Sequence, residues 1–352
     1  MSHVLPPSIR QMPGRRLAFG FALGLVLLAA LPASATAADA NPETARRVQA
    51  IERAHAAVVG VHASAVEGAS SAETLGQERL GSGVVIGSDG LVLTIGYLIL
   101  EADHVDLMLE GGRELPARVV AYDQATGFGL LQALAPLDAE PVPLGDAGTA
   151  STEEPLLIAS GIGRRLLSIA QLVSRRGYSG YWEYHIEGAL FTAPPRPDHS
   201  GAGLFDADGR LLGIGSLIVA NALGQDQPAL EGNMFVPVDL LKPILGELRA
   251  NGASAASRRP WLGVNCVEYE GRLWVLRLTP EGPAEASGLR PGDQIASIDG
   301  VAVSDLSTFY RTLWRKAPGH DAVLGIVRAG APQKLTVHTR ERSEILRRPR
   351  GV

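Results

Sequence analysis

The sequence has little of several residue types that would otherwise define its class. It contains one cysteine, Cys266, which therefore has no partner for an internal disulfide, and its apolar neighbours favour a buried structural thiol. Aromatic residues make up only 5% of the 352 residues. The net charge is -5, which argues against a nucleic-acid partner because a phosphate-binding surface needs a basic excess. Glycine and proline are plentiful instead, which favours short strands joined by turns over a helical bundle.

The spacing of the histidine, cysteine and carboxylate residues does not indicate a metal or cofactor site. No pattern of His, Cys and carboxylate residues has the spacing of a metal site. His62, His104 and His185 stand alone in strand-like segments, where we expect them to be structural or exposed. The sequence thus predicts neither a metal nor a cofactor.

The first forty residues predict an export signal. Arginines at 10, 15 and 16 precede an apolar run from Leu17 to Leu31, and small residues follow from Ala33 to Ala38. A basic start, an apolar run of about fifteen residues and a small-residue cleavage region are typical of a signal peptide, which we assign to residues 1–38. This predicts a periplasmic location. An uncleaved inner-membrane anchor stays open, although the run is shorter than the roughly twenty residues of a typical span.

Turn and periodicity signals divide the remaining chain into two units. Two apolar runs flank the turn Ser88-Asp89-Gly90 and predict a hairpin, and further short strands follow as far as Val236. A helical period over residues 239–248 ends at Gly252. We assign residues 41–250 to the first unit, 251–259 to a small and polar linker, 260–340 to the second unit, and 341–352 to a basic tail that we expect to fray.

Four fragments follow one another along the chain: Gly81–Thr94, Pro143–Asp146, Ser200–Ile214 and Glu281–Asp293. In this order they resemble four parts of the HtrA/Deg family of periplasmic serine proteases. These parts are the segment before the catalytic histidine, the entry to the second barrel, the nucleophile loop with the next hairpin, and a bacterial PDZ signature. The resemblance implies a mostly-β chain. Two six-stranded antiparallel barrels of the trypsin-like fold would precede a PDZ-like α+β domain.

The same resemblance places unsuitable chemistry at the family's base and orienting positions. Tyr97 stands where the catalytic histidine is expected, and a phenol with a pKa of about 10 is a poor general base at neutral pH. Gly127 stands where the orienting aspartate is expected. Asp123, four residues earlier, is predicted to cap a turn and not to serve as a relocated orienter.

The nucleophile loop keeps its serine but changes its surroundings. Ser200 aligns with the family's nucleophile, whereas Asp198 replaces the glycine whose amide helps to form the oxyanion hole. A carboxylate at that place opposes a developing oxyanion. His199 is adjacent to the serine in sequence, so its side chain is expected to point away. We therefore expect Ser200 to be a vestigial nucleophile.

The second unit predicts a peptide-binding groove. PDZ domains bind a peptide C-terminus as an added strand, and loop amides receive its carboxylate. Leu262, Gly263 and Val264 resemble that carboxylate loop, the strand through Cys266 would pair with the peptide, and a helix over residues 305–316 would form the other wall. Packing of this unit against the barrels, without peptide binding, is the alternative.

Three functions stay open on the sequence alone. The first is a pseudoprotease that binds unfolded proteins or protein C-termini through the PDZ unit, or partners an active HtrA-like relative. The second is an HtrA/Deg serine endopeptidase with a non-standard active site, and the third is a chaperone-like holder of unfolded chains. Family members often form trimers through aromatic residues near the mature N-terminus, but residues 41–95 contain none, which puts a trimer in doubt and leaves the oligomeric state open.

Overall fold

The computed structural model describes residues 42–162 and 166–347. The predicted signal peptide, residues 1–38, lies outside these ranges. Within them, no helix has both the length and the apolar character that a membrane span requires.

The first barrel closes six antiparallel strands around an apolar core. An N-terminal helix precedes it, and two single-turn helices interrupt it. The elements are α1 (Pro42–Ala56), β1 (Val58–Ala65), α2 (Ala72–Leu75), β2 (Glu78–Val85), β3 (Leu91–Ile95), α3 (Gly96–Ile99), β4 (Ala102–Met108), β5 (Glu114–Tyr122) and β6 (Phe128–Ala133). The strand order is β1-β2-β3-β6-β5-β4. Every residue of β3 is buried, and its one polar side chain, Thr94, donates its hydroxyl to the Ser82 carbonyl at 2.7 Å.

The second barrel repeats the closed six-stranded arrangement. Its strands are β7 (Pro155–Ser160), β8 (Leu166–Gly180), β9 (Tyr184–Ala193), β10 (Gly203–Phe205), β11 (Leu211–Val219) and β12 (Gly232–Pro237). They pair antiparallel in the order β10-β11-β12-β9-β8-β7. The hairpin of β8 and β9 is long, and its tip extends to the PDZ unit. The predicted pair of trypsin-like barrels is confirmed.

The segment between the two units is fixed to the first barrel. The helix expected over residues 239–248 is instead a 3₁₀ turn at Val238–Leu240 followed by α4 (Leu245–Asn251). In the linker, Ser254 and Ser257 bond the Asp123 carboxylate, from the backbone amide at 3.0 Å and the hydroxyl at 2.6 Å. Arg259 is buried, with its guanidinium 3.6 Å from the Trp314 ring centroid. The small polar composition therefore reflects anchoring contacts as well as a domain boundary.

The PDZ unit is a small sheet with a helix against it. Its elements are β13 (Pro260–Trp261), β14 (Val264–Tyr269), β15 (Arg272–Leu278), α5 (Pro283–Ala286), β16 (Gln294–Ile298), β17 (Val301–Ala302), α6 (Leu306–Leu313), β18 (Asp321–Arg328), β19 (Ala331–His338) and β20 (Arg340–Glu341). The main sheet runs β14-β15-β16-β18-β19, with β17 added to β16. Asp305 caps α6 by accepting a bond from the Thr308 amide at 2.7 Å, and Phe309 and Leu313 are fully buried. This unit has a hydrophobic core of its own.

The expectation of a frayed basic tail is wrong for residues 341–347. Strand β20 pairs with β13, so the end of the PDZ unit is tied to its beginning. The Arg347 amide then donates to the Glu101 carboxylate at 2.7 Å. Glu101 is buried and also accepts from the Ser71 amide at 2.8 Å. A buried carboxylate needs such donors, and this requirement fixes the tail.

Candidate functional site

Tyr97 contacts Ser200 across the interface of the two barrels. Helix α3 follows β3 directly and carries Tyr97 out of the first barrel, whereas the second barrel supplies Ser200 and Ser216. The Tyr97 hydroxyl oxygen lies 2.8 Å from the Ser200 Oγ and 2.9 Å from the Ser216 carbonyl oxygen. The Ser200 loop is held in place because its carbonyl oxygen accepts from the Ser82 amide at 2.8 Å. The residue predicted at the base position thus contacts the residue predicted at the nucleophile position.

The proton arrangement at Tyr97 opposes activation of the serine. A phenol carries one proton, and a backbone carbonyl can only accept. When Tyr97 donates to Ser216, the Ser200 hydroxyl must donate to the Tyr97 oxygen, which already holds its own proton. Burial raises the pKa of Tyr97 to about 12, against the opposing effect of the Ser200 hydrogen bond. A neutral phenol of this kind cannot take the serine proton at physiological pH.

A second phenol fills the space at Gly127, the residue predicted at the orienting position. Gly127 has a φ of 81°, and a Cβ added there would lie 2.8 Å from the Tyr184 hydroxyl oxygen. Tyr184 is buried, donates to the Thr126 carbonyl at 2.9 Å and stacks on Trp182 with ring centroids 5.6 Å apart. The space for a side chain at position 127 is therefore filled.

Asp123 is turned towards the linker and its own turn. Its carboxylate accepts from the Thr126 hydroxyl at 2.7 Å and from the linker groups described above. This geometry agrees with a turn-capping role and leaves no free carboxylate oxygen to orient a base.

Asp198 is held by an ion pair beside the nucleophile loop. It accepts from the Arg196 Nε at 2.9 Å and also from a terminal guanidinium nitrogen of Arg196 and the Ser160 hydroxyl. Burial pushes the pKa of Asp198 up, but these bonds outweigh it and hold the pKa below its ordinary value. The group two residues before Ser200 is therefore an anion at neutral pH, and its charge is paired with that of Arg196.

His199 does not serve as a substitute base in this geometry. Its Nδ1 lies 3.1 Å from the Arg196 carbonyl oxygen and 3.2 Å from that of Pro197. Both are acceptors, so Nδ1 carries a proton and points into its own loop. Burial lowers the pKa of His199, so the ring is neutral at physiological pH.

The predicted carboxylate loop of the PDZ unit holds a carboxylate from the chain itself. The Glu183 Oε1 accepts from the amides of Gly263 at 2.7 Å, Val264 at 3.0 Å and Leu262 at 3.2 Å. The Oε2 accepts from the Leu262 amide at 3.1 Å. Burial raises the pKa of Glu183, and the three amides oppose the rise. Binding of a peptide C-terminus by the same loop stays a prediction.

Sequence reasoning missed Glu183, Tyr184 and Arg196. Glu183 and Tyr184 belong to the run Tyr181-Trp182-Glu183-Tyr184, an aromatic cluster in a chain that has few aromatic residues. That cluster was the available signal. No comparable signal exists for Arg196, because nothing in the sequence distinguishes it from an exposed arginine.

Two domain families match the chain. The trypsin-like peptidase domain matches residues 81–214, and the PDZ domain matches residues 260–339. Both matches agree with the barrels and the PDZ unit described above.

Curated relatives carry a common name. A probable periplasmic serine endoprotease DegP-like of Halomonas elongata is 28% identical over 277 residues, covering 74% of this chain and 56% of the relative. A protein of the same name from Pseudomonas putida (strain W619) is 31% identical over 280 residues, covering 74% of this chain and 55% of the relative. The chain thus spans about half the length of the curated relatives it matches.

Solved structures share the fold. The HtrA-type protease AlgW with a decapeptide superposes with a TM-score of 0.53 at 23% identity, covering 86% of this chain and 99% of that one. The serine endoprotease from Yersinia pestis superposes with a TM-score of 0.52 at 22% identity, covering 84% of this chain and 97% of that one.

Proposed function

The chain combines the trypsin-like and PDZ domains of the HtrA/DegP family, and on this premise we propose that it is an exported pseudoprotease, a binder of polypeptides that does not cut them. The periplasmic names of the curated relatives support the same location for this chain, and the export signal predicted at residues 1–38 agrees with it.

One contact carries the proposal. The group that faces the Ser200 hydroxyl, at 2.8 Å, is the Tyr97 phenol with a pKa raised to about 12. Triad members act as a unit, and loss of the base alone costs on the order of 10⁶ in turnover. From a typical ~10 s⁻¹, that leaves about one event per day. Such a rate does not support a proteolytic role.

Two further contacts are expected to lower the proteolytic activity still more. The Tyr184 hydroxyl takes the space of an orienting carboxylate at position 127. The Asp198 carboxylate adds a negative charge two residues before Ser200, which disfavours a developing oxyanion nearby. The proposal therefore rests on the missing base and orienter, and the charge in the nucleophile loop adds to their effect.

The binding half of the proposal rests on the PDZ unit. Its loop amides at Leu262, Gly263 and Val264 converge on one carboxylate oxygen, which is the chemistry needed to receive a peptide C-terminus. The partners we propose are unfolded proteins or protein C-termini.

A serine endopeptidase with a non-standard site is the second candidate. Ser200 is retained and half-buried at the barrel interface, and the curated relatives are named serine endoproteases. On this reading, the group that deprotonates Ser200 would have to be other than Tyr97.

Casein degradation separates the two candidates. We expect the purified protein to release no more peptide from casein than its Ser200→Ala variant, since neither has an activated nucleophile. Release of trichloroacetic-acid-soluble peptides over several days measures this. Faster release by the unmodified protein than by Ser200→Ala would establish the endopeptidase and end the pseudoprotease proposal.

A further inference from the structure

The groove between β14 and α6 contains the tip of the β8–β9 hairpin, residues 180–184, which we call the hairpin tip. Strand β14 pairs with β15 along one edge only. Towards its other edge, the Cys266 amide donates to the Tyr181 carbonyl at 3.1 Å. This is the edge to which a peptide adds as a strand in a PDZ domain. The hairpin tip therefore makes a main-chain bond of the type that a bound peptide would make.

The hairpin tip also supplies the carboxylate. Glu183 follows Tyr181 by two residues, and its side-chain oxygens accept all three amides of the carboxylate loop. Gly263 has a φ of 78°, a left-handed conformation that turns successive amides towards one point. A C-terminal carboxylate and the Glu183 side chain present the same group, so both cannot occupy this loop at once.

Helix α6 fixes both ends of the hairpin tip through one hydroxyl. The Tyr310 hydroxyl donates to the Gly180 carbonyl at 2.8 Å and accepts from the Glu183 amide at 3.1 Å. Tyr310 is fully buried. Glu183 itself has a φ of 57°, which is uncommon for a residue other than glycine. The contacts with the groove hold Glu183 in this conformation. Release of the hairpin tip would therefore relieve the backbone strain at Glu183.

We propose that the hairpin tip is an internal ligand of the PDZ groove, and that the C-terminus of a partner protein binds by displacing the Glu183 carboxylate. The proposal rests on the function proposed above, in which the PDZ unit binds protein C-termini. It adds how that binding is controlled. A tethered ligand competes at a high effective concentration, so the apparent affinity for an external peptide falls by the fraction of open grooves. A partner must therefore be abundant, or bind tightly, before the groove opens.

Peptide binding to the whole protein tests the competition. The probe is a fluorescein-labelled decapeptide ending in Ser-Gly-Tyr-Trp-Val with a free carboxylate, read by fluorescence anisotropy. We expect Glu183→Ala to bind it at least ten times more tightly than the unmodified protein. The matched control is Glu78→Ala, which removes an exposed carboxylate of β2 that pairs with His62 in the first barrel and makes no contact with the groove. It should bind as the unmodified protein does, and an amidated probe should show no gain with any variant.

Hydrogen exchange supplies a readout that does not depend on the peptide. In Glu183→Ala without peptide, the amides of Leu262, Gly263, Val264 and Cys266 should exchange faster, while the PDZ core strands stay protected. Tyr310→Phe is the second variant, because it removes the hydroxyl but keeps the carboxylate, and it should give a smaller gain in affinity.

The outcomes separate this proposal from the function it rests on. Equal, measurable affinities of Glu183→Ala and the unmodified protein would overturn the internal ligand and leave the reading of C-termini intact. Fast amide exchange in Glu183→Ala without binding of the free-acid probe would overturn both, since the exposed loop would then be shown not to accept a C-terminus. Unchanged exchange at the loop amides would overturn the internal ligand.

Discussion

Introducing histidine and aspartate at the positions predicted for the triad base and orienter is expected to leave the protein almost inactive. In Tyr97→His with Gly127→Asp, the new side chain at position 127 meets the Tyr184 hydroxyl 2.8 Å from its Cβ and needs a left-handed backbone. We expect activity no higher than that of Tyr97→His alone, together with a loss of roughly 1–3 kcal/mol in stability. An imidazole without its orienter is short of a complete triad by about 10⁴ in turnover.

Two further changes are expected to raise the activity in steps. Adding Tyr184→Ala makes room for the carboxylate and should raise casein turnover by about 10³–10⁴. Adding Asp198→Gly removes the negative charge two residues before Ser200 and should raise the turnover further. Turnover of fluorescent casein across the series, with Ser200→Ala added to the last member as the control, measures each step. Full activity in the double variant would show that Tyr184 and Asp198 are harmless, and an inactive quadruple variant would show that more than these contacts has been lost.

Asp123→Ala is expected to destabilise the protein by about 3 kcal/mol. The buried Asp123 carboxylate joins the first barrel to the linker through Ser254 and Ser257, and its removal leaves their donors unpaired. Denaturant unfolding followed by circular dichroism measures the loss. The matched control is Asp138→Ala, since Asp138 is an exposed partner of Arg113, and it should change stability by less than ~0.5 kcal/mol. A loss of that small size in Asp123→Ala would show that the linker is not anchored there.

The stability difference between the unmodified protein and Asp123→Ala should depend on pH, and the direction of that dependence follows from the pKa of Asp123. Burial pushes the pKa of Asp123 up, but bonds from Ser254, Ser257 and Thr126 outweigh it and lower the pKa below its ordinary value. A group with a lowered pKa in the folded state contributes stability that is fully present above its unfolded value, about 3.9, and is lost as the pH falls through the folded value. The gap between the unmodified protein and Asp123→Ala should therefore be constant from about pH 5 to 8 and narrow below about pH 4.

The fold could be predicted because its signals are local. The hairpin turn at Ser88-Asp89-Gly90 and the mainly apolar strand after it are each encoded by consecutive residues. The position of Tyr97 follows from the end of that strand, so its predicted alignment with the family's base position needed no tertiary information. Its contact with Ser200, 103 residues away in sequence, comes from the docking of two barrels.

The contacts of Tyr184 and Glu183 could not be predicted from local sequence signals. Tyr184 at Gly127 and Glu183 in the carboxylate loop depend on where a fifteen-residue strand, β8, places its hairpin. The strand period of two fixes which face a residue takes but not which distant loop it reaches. The tail was misjudged for a related reason, because the buried Glu101 that holds the Arg347 amide lies 246 residues earlier.

The reactivity of Ser200 towards a fluorophosphonate tests the central claim most directly, because this reagent labels a serine only when a base has activated it. Intact-mass spectrometry of the purified protein after prolonged incubation, with Ser200→Ala in parallel, reports the labelled fraction. The Tyr97 phenol facing Ser200 predicts no mass increase in either protein. One reagent bound per chain in the unmodified protein, absent in Ser200→Ala, would contradict the account.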